Sequence, residues 1–439
     1  MKKIYIFLLL AVMALGASAQ HGRYVGGDIS LIPSYEASKT VYLDGQGNNI
    51  SDLITWLRND CEWNCFRVRL FVNPQKKGND GKFDPAVCQD IEYVKALGKR
   101  IKDSGAYFML DIHYSDTYVD ATHIQAPAVC QSMTVDEKAE WIYNYTKESL
   151  QTLQTAGATP DLVQVGNEIM YGFMGIKVAP YENAASDWTG YLKVLKQGCQ
   201  AVRDCLPKAK IIIHTDRACN TTYDNFYYSK LDAAQVPYDV IGLSYYPFWH
   251  GWLTAHPDKY NDGLGNALTY LKNYFPSKEV QIVETAYNFQ YWPSSGVNYD
   301  TRDTWECSDA GQYQFVCDLI SELANHTNVT GLMYWCPEEA GCGDAANWDT
   351  NEGVVITSWI NRGLWWSNSS NGHWPIKNAG SQYKLKEFLD PNPSAITSIS
   401  ADSKALSGNT WYSITGARQQ NTPSQTGLYI NNGKKVIVK

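Results

Sequence analysis

Val163-Gln164-Val165-Gly166-Asn167-Glu168-Ile169-Met170, with Leu162 before it, runs from a short apolar segment straight into a glycine, an amide and a carboxylate. Short apolar runs containing β-branched residues read as buried strands. A carboxylate at the end of such a strand is costly unless something pairs with it or uses it. Val280-Gln281-Ile282-Val283 runs into Glu284-Thr285-Ala286-Tyr287 in the same way, much later in the chain. A lone strand-end Glu fits a helix cap or an arginine partner equally well. Two of them are what hydrolysis of a glycosidic bond requires, one carboxyl to give a proton and one to attack or to activate water.

Working outward, apolar runs alternate with amphipathic ones. Strands are expected over 24–31, 65–72 and 107–113, then one ending at Glu168, then 210–215 and 238–245, one ending at Glu284, and 329–335. Helices are expected over 50–60, 91–102, 188–206, 223–234, 265–274, 310–324 and 382–389. A capping box, Thr134-Val135-Asp136-Glu137, opens one more, to about residue 155. Eight β-then-α units predict an α/β fold of the (β/α)8 barrel type. A doubly wound sheet is the alternative, but no Gly-rich phosphate loop accompanies it.

Barrel active sites lie at the C-terminal ends of the strands. Polar and aromatic residues gather at those predicted ends. Asp28 closes the first; Arg67 and Arg69 alternate on the second. Asp111 and His113 alternate on the third, with Tyr114, Asp116, Tyr118 and Asp120 beyond. Asn167 and Glu168 follow the fourth, and His214 ends the fifth. Tyr245, Tyr246, Trp249 and His250 follow the sixth. Glu284 and Tyr287 follow the seventh, and Trp335 ends the eighth. The long stretch 336–380, with Trp348, Trp359, Trp365, Trp366 and Trp374, is expected to form a wall of the groove.

The chain has 439 residues, 44% of them hydrophobic, enough for a large core. A net charge of −8 and the lack of long basic runs argue against nucleic acid and anionic membrane partners. The 15 Trp and 30 Tyr suit a surface that stacks on sugar rings. Residues 1–19 read as a secretion signal, from Lys2-Lys3 through an apolar run to Ala17-Ser18-Ala19. The run is short for a bilayer span, and no other stretch suits one. The 11 cysteines are odd in number, so at least one is outside any intrachain disulfide. Cys61/Cys65, Cys199/Cys205, Cys307/Cys317 and Cys336/Cys342 are close pairs, but proximity does not establish pairing, and buried thiols are the default for many. Asp390-Pro391-Asn392-Pro393 reads as a linker. Short strands over 410–413, 427–430 and 434–438 follow, with a hairpin signal at Asn431-Asn432-Gly433. The expected organisation is therefore a signal (1–19), a barrel (20–389) and a small β-rich tail (390–439).

Several stretches, in order, resemble the arabinogalactan endo-β-1,4-galactanases, glycoside hydrolase family 53 of clan A. They are Gly26-Gly27-Asp28-Ile29-Ser30, Arg69-Leu70-Phe71-Val72-Asn73-Pro74, Leu110-Asp111-Ile112-His113-Tyr114-Ser115-Asp116-Thr117, Gly166-Asn167-Glu168-Ile169, Ile241-Gly242-Leu243-Ser244-Tyr245-Tyr246-Pro247, Val283-Glu284-Thr285-Ala286-Tyr287 and Tyr334-Trp335. The resemblance implies a retaining endo-hydrolase of β-1,4-galactan or arabinogalactan. In it Glu168 would be the acid/base, Glu284 the nucleophile and Asn167 the holder of the sugar 2-hydroxyl. Arg69 would support the nucleophile and Trp335 would floor the cleavage subsite. Asp111, His113, Asp116 and Tyr245 or Tyr246 would line the pocket, with Trp249 and His250 further out; Asp28, His214 and Tyr287 complete the expected substrate-binding set.

The sequence departs from the family at two places. Residues 288–307 carry only scattered acids (Asp300, Asp303, Glu306) where some members hold calcium, so no metal or other cofactor is expected. Cys336-Pro337 follows Trp335 where a Glu commonly stands. Residues 411–436 resemble the C-terminal sorting tails of secreted Bacteroidetes-type proteins. The expected protein is secreted and monomeric. Two alternatives stay open: another clan A endo-glycanase specificity, or a surface glycan-binding protein without activity.

Overall fold

In the computed structural model the described residues are 22–256, 261–289, 298–339, 362–366, 373–374, 380–390, 411–413, 418–419, 427–431 and 434–438. Eight strands close a parallel barrel in chain order: β1 (Tyr24–Asp28), β2 (Cys65–Leu70), β3 (Tyr107–Ile112), β4 (Leu162–Val165), β5 (Lys210–Thr215), β6 (Val240–Tyr245), β7 (Glu279–Thr285) and β8 (Val329–Trp335). β8 returns to pair with β1, Asp28 opposite Trp335, so no strand edge is left open. The outer helices are α1 (Leu53–Asn59), α2 (Ile91–Asp103), α3 (Val135–Thr155), α4 (Trp188–Cys205), α5 (Thr221–Ala233), α6 (Leu264–Tyr274), α7 (Asp309–Ala324) and α8 (Ser381–Lys384). The predicted capping box forms: the Thr134 side chain accepts from the Glu137 N–H, and the Glu137 carboxylate accepts from the Thr134 N–H.

Side chains alternate along each strand, and this sorts the barrel into layers. Cys65, Met109, Leu162, Ile212, Val240, Val283 and Met333 point inward and form a fully buried plug. One step nearer the C-terminal ends, the inward positions turn polar: Asp28, Arg67, Asp111, Gln164, His214 and Ser244, all fully buried. The outward positions pack against the helices in one continuous core. A packed floor below and a polar layer above is the barrel arrangement that carries a site at one end only.

The order in β7 has one break. Ile282 pairs with Leu243, and the next register partner of Ser244 is Glu284, so Val283 is an extra residue. Gln281 and Val283 already face inward, and strict alternation would turn Glu284 toward the helices. The bulge re-aims it into the barrel, as bulges beside active sites do.

The chain divides into two compact units, Met1–Pro391 and Asn392–Lys439. In the second, Arg418–Gln419, Trp411–Ser413, Gly427–Asn431 and Lys434–Val438 form one antiparallel sheet in that spatial order. The proposed signal, and Asn432-Gly433 of the hairpin signal, lie outside the described residues. The ten described cysteines are all free thiols. Trp365 does not form a groove wall. It is fully buried, packs against Tyr42 and Trp56 with ring centroids 5.2 and 6.0 Å away, and donates to the Leu43 carbonyl. Trp348 and Trp359 lie outside the described residues, as do the side chain of Trp374 and Cys342.

Candidate active site

Arg67 is the hub. Its guanidinium, fully buried, donates to Asp28 Oδ2 at 2.7 Å, Asp111 Oδ2 at 2.8 Å and Asn167 Oδ1 at 3.0 Å. It also pairs with Glu284 Oε1 at 2.8 Å. A buried cation among three carboxylates is held by mutual compensation. Glu284 takes a further hydrogen bond at Oε2, from the Tyr246 hydroxyl at 2.9 Å. Burial pushes the Glu284 carboxyl up, and Arg67 is the main opposing force.

Glu168 sits differently. The chain leaves β4 through Gly166 at φ 82° and turns at Glu168 itself, in the left-handed region at φ 48° and ψ 47°. A Cβ on Gly166 would stand 2.6 Å from Ile169 Cγ2 and 2.9 Å from the Phe173 ring, so this turn takes only glycine. Glu168 has no arginine partner of the kind Glu284 has. Its Oε1 accepts from the Ser244 hydroxyl at 2.5 Å. Burial, then the charges of Glu284 and Asp216, raise its pKa well above the carboxylate range. Of the two, Glu168 is the one that keeps a proton.

Between them, Asn167 donates to the Val119 carbonyl at 2.7 Å, which fixes its amide. His214 is buried, with Nε2 2.8 Å from Ser244 Oγ and Nδ1 3.1 Å from Gln164 Nε2. Burial first, then Arg67, His113 and His250, hold it well below the usual imidazole pKa, so it is neutral. Gln164 donates to Asp111 Oδ1 at 2.6 Å. His113 Nε2 lies 3.1 Å from Asp111 Oδ2, and its Nδ1 accepts from the Val119 N–H. Trp335, half-buried at the end of β8, carries the Arg362 guanidinium over its ring at 3.8 Å and meets Tyr246 edge-on.

The structure brings together Asp28, Asp111, His113, Asn167, Glu168, His214, Tyr246, Glu284 and Trp335. It corrects five expectations. Arg69 does not support the nucleophile. Two residues further along β2, its guanidinium is turned to Tyr118 Oη at 2.6 Å, Asp28 Oδ1 at 3.4 Å and Cys336 Sγ at 3.6 Å. Arg67, one layer lower, has the reach to Glu284 through the barrel centre. Tyr245 faces the helices, because it alternates with inward Ser244 and Tyr246. It is fully buried against Phe315 and donates to the Gly251 carbonyl. Tyr287 is likewise core, stacked on Phe248 and bonded to the Trp305 carbonyl. His250 supports rather than lines: its Nδ1 accepts from the Tyr246 N–H at 2.8 Å. Asp116 accepts from the Ala128 N–H and shapes its own loop. Trp249 lines a small cavity with Tyr246, Asn288 and Arg362.

Gln164, Ser244 and Arg67 belong to the site as well, although none is among the residues expected to act in it. Their signal was a polar residue at an inward position of an otherwise apolar strand. Among the described residues no group of three or more His, Cys, Asp or Glu is placed to hold a metal ion, and Asp300 pairs with Arg302 at 2.6 Å. None of the described helices is long and apolar enough to cross a membrane.

A closed (β/α)8 barrel with two unequal carboxyls at its C-terminal mouth defines a glycoside hydrolase site. The family model described as glycosyl hydrolase family 53 matches residues 24–376. The chain belongs to that family. It is 30% identical over 341 residues to an uncharacterized protein in the bgaB 5′ region of Niallia circulans, covering 74% of this chain and 87% of that one. It is 27% identical over 364 residues to the endo-beta-1,4-galactanase of Bacillus subtilis (strain 168), covering 82% and 79%. Among solved structures, the Ignisphaera aggregans GH53 catalytic domain superposes with a TM-score of 0.68 at 26% identity, covering 84% of this chain and 97% of that one.

Proposed function

We propose that the protein is an endo-β-1,4-galactanase that cleaves β-1,4-galactan or arabinogalactan with retention of configuration. The observation that carries the mechanism is the unequal pair: Glu284 is ion-paired with Arg67, and Glu168 is raised well above the carboxylate range with no such partner. Glu284 Oε1 or Oε2 attacks the anomeric carbon and the glycosidic C–O bond breaks. Glu168 gives its proton to the departing oxygen. Water then attacks the glycosyl-enzyme ester, Glu168 takes the water's proton, and Glu284 leaves as carboxylate. The reaction needs carboxyls only ~5–5.5 Å apart and no cofactor. Asn167, amide locked by Val119 and Arg67, holds the sugar's 2-hydroxyl, and Trp335 floors the cleavage subsite.

The galactan specificity is supported by the family and by the named relative. Chromatography of products from linear β-1,4-galactan tests it, with mannan and β-1,3-galactan as competitors. Oligogalactosides whose new reducing ends first appear as the β-anomer by NMR are expected. Hydrolysis of mannan in preference to galactan would mean another specificity. Binding without release of reducing ends, unchanged by Glu284→Gln, would mean a glycan-binding protein.

The proposed organisation is a cleaved signal over 1–19, a catalytic barrel over 20–389 and a β-rich tail over 390–439. It makes the protein a secreted monomer. N-terminal sequencing of the exported chain should start at Gln20.

A further inference from the structure

We propose that Ser244 and His214 fix which oxygen of Glu168 carries the catalytic proton. Ser244 donates to Oε1 in both protonation states, so the proton passed to the leaving group rests on Oε2. This rests on the reading of Glu168 as acid/base.

Gln164 has its amide orientation fixed, because Nε2 donates to the Asp111 carboxylate at 2.6 Å and Oε1 faces Arg67 Nη2 at 3.4 Å. Its Nε2 is therefore a donor where it meets His214 Nδ1 at 3.1 Å. The Glu168 backbone N–H points to the same Nδ1 at 3.4 Å. Asn167 Oδ1 also lies 3.0 Å from Nδ1, but it already accepts the charge-assisted bond from Arg67 Nη2 at 3.0 Å. Two donors converge on Nδ1, so Nδ1 carries the lone pair. A neutral imidazole has one N–H, and here it is on Nε2, directed at Ser244 Oγ 2.8 Å away.

A serine hydroxyl has a single hydrogen. With its oxygen accepting from His214, Ser244 has its own proton free for Glu168 Oε1 at 2.5 Å. A carboxyl proton on Oε1 would meet that O–H donor to donor. It is therefore placed on Oε2. When Glu168 has lost its proton, the same hydrogen bond stabilises the carboxylate that must act as base in the second step. Ser244 lies opposite Glu284 in the β6–β7 register, so one strand position serves both carboxyls.

Other charges face the same groups. Glu284, Asp216 and Asp120 surround Glu168 and favour its protonated form, and Arg217 opposes them. Arg67, His113 and His250 face His214 and disfavour its cation. The Ser244 bond is thus the local counterweight to the acids around Glu168. Its loss must raise the pKa of Glu168 and carry the basic limb of activity to higher pH.

The test is the pH dependence of kcat/KM for Ser244→Ala and Ser244→Thr on aryl β-galactobiosides with good and poor leaving groups. Ser244→Ala should move the basic limb up by about one pH unit. It should slow the poor-leaving-group substrate about tenfold, with a smaller loss on the dinitrophenyl substrate, which needs little protonation. Ser244→Thr, which keeps the hydroxyl, should restore the limb. Equal losses on both substrates with an unmoved limb would overturn the proposal and leave Ser244 a packing residue. Glu168→Ala, measured alongside, separates the two readings. If it abolishes the basic limb and is rescued by azide while Ser244→Ala keeps the limb, only the Ser244 proposal falls. If Glu168→Ala keeps the wild-type limb, both fall.

Discussion

At the scale of single residues, the two strand-end glutamates diverge because their neighbours differ. Glu284 holds its charge against Arg67 and the Tyr246 hydroxyl. Removing that hydroxyl, in Tyr246→Phe, takes away a hydrogen bond to a charged acceptor, worth ~1.5–3 kcal/mol. A fall in kcat/KM of about 10- to 100-fold is expected. The sign on pH follows from the same bond. Tyr246 lowers the Glu284 pKa, so its loss raises that pKa, and activity should fail at a higher pH as acid is added. An acid limb that does not move would show that Tyr246 does not act on the nucleophile. Arg67 and Arg69 separate in the same way. Arg67→Met leaves buried Asp111 and Glu284 without their arginine, and Asp28 with Arg69 alone, and should cost ~3–5 kcal/mol of stability as well as activity. Arg69→Lys keeps a cation near Asp28 and should keep most activity, as steady-state kinetics would show. The sequence shows both arginines at inward positions but not which of the two heights meets Glu284, and only the resemblance implies Arg69 for that role. Tyr245 and Tyr246 were separable in principle: neighbours on a strand face opposite ways, and only one can share a face with Ser244.

At the scale of elements, strands were legible because each is an apolar run bounded by turn residues, and all eight fall where the runs do. Conformations at their ends were not. Gly166 at φ 82° and the Val283 bulge aim the two carboxyls, and neither leaves a hydrophobic period to read. Gly166→Ala puts a Cβ into Ile169 and Phe173 and asks alanine for a left-handed backbone. It should cost about 1 kcal/mol or more in denaturant midpoint and proportionately more in kcat, because the shift moves Asn167 and Glu168. A variant with lowered stability and wild-type kcat would sink that account. The turn after β8 offers a second case. Glu338 is buried there, accepts from the Leu31 N–H at 2.9 Å, and burial, then the Asp28 charge, push its pKa up to about 8. Its folded pKa is above its unfolded value, so the stability it contributes is complete below about pH 4.5 and is lost as pH rises toward 8. Glu338→Gln keeps the amide-accepting oxygen and has nothing to ionise. Its melting temperature should exceed that of the wild type by a margin that grows between those pH values. A margin independent of pH would rule this out.

At the scale of the whole molecule, the closed barrel satisfies its own edges, and its bottom is sealed by the chain's return after β8. The Trp63 indole N–H donates to the Gln382 carbonyl at 2.8 Å. Arg23 donates to the Phe388 carbonyl at 3.2 Å and lies over the Phe388 ring at 4.8 Å. Leu385 and Phe388 are fully buried in the same core as Ile54 and Trp63. The first compact unit, which holds the barrel and both glutamates, ends at Pro391. The sequence places a linker at Asp390-Pro391-Asn392-Pro393, where prolines and turn residues extend neither a helix nor a sheet, and the compact units divide within that stretch. The second unit's described strands form one antiparallel sheet over Trp411–Val438. A chain ending at Pro391 should therefore keep the melting temperature and kcat/KM of the full chain. One ending at Asn378 strips α8 and the Phe388 plug. Burial of a side chain such as Leu385 or Phe388 is worth ~1.5–3 kcal/mol, so that shorter chain should unfold at a clearly lower temperature. Calorimetry of both, with activity on galactan, decides it. A chain ending at Pro391 that melts early or loses activity would show that the last 48 residues, Asn392–Lys439, take part in the working enzyme.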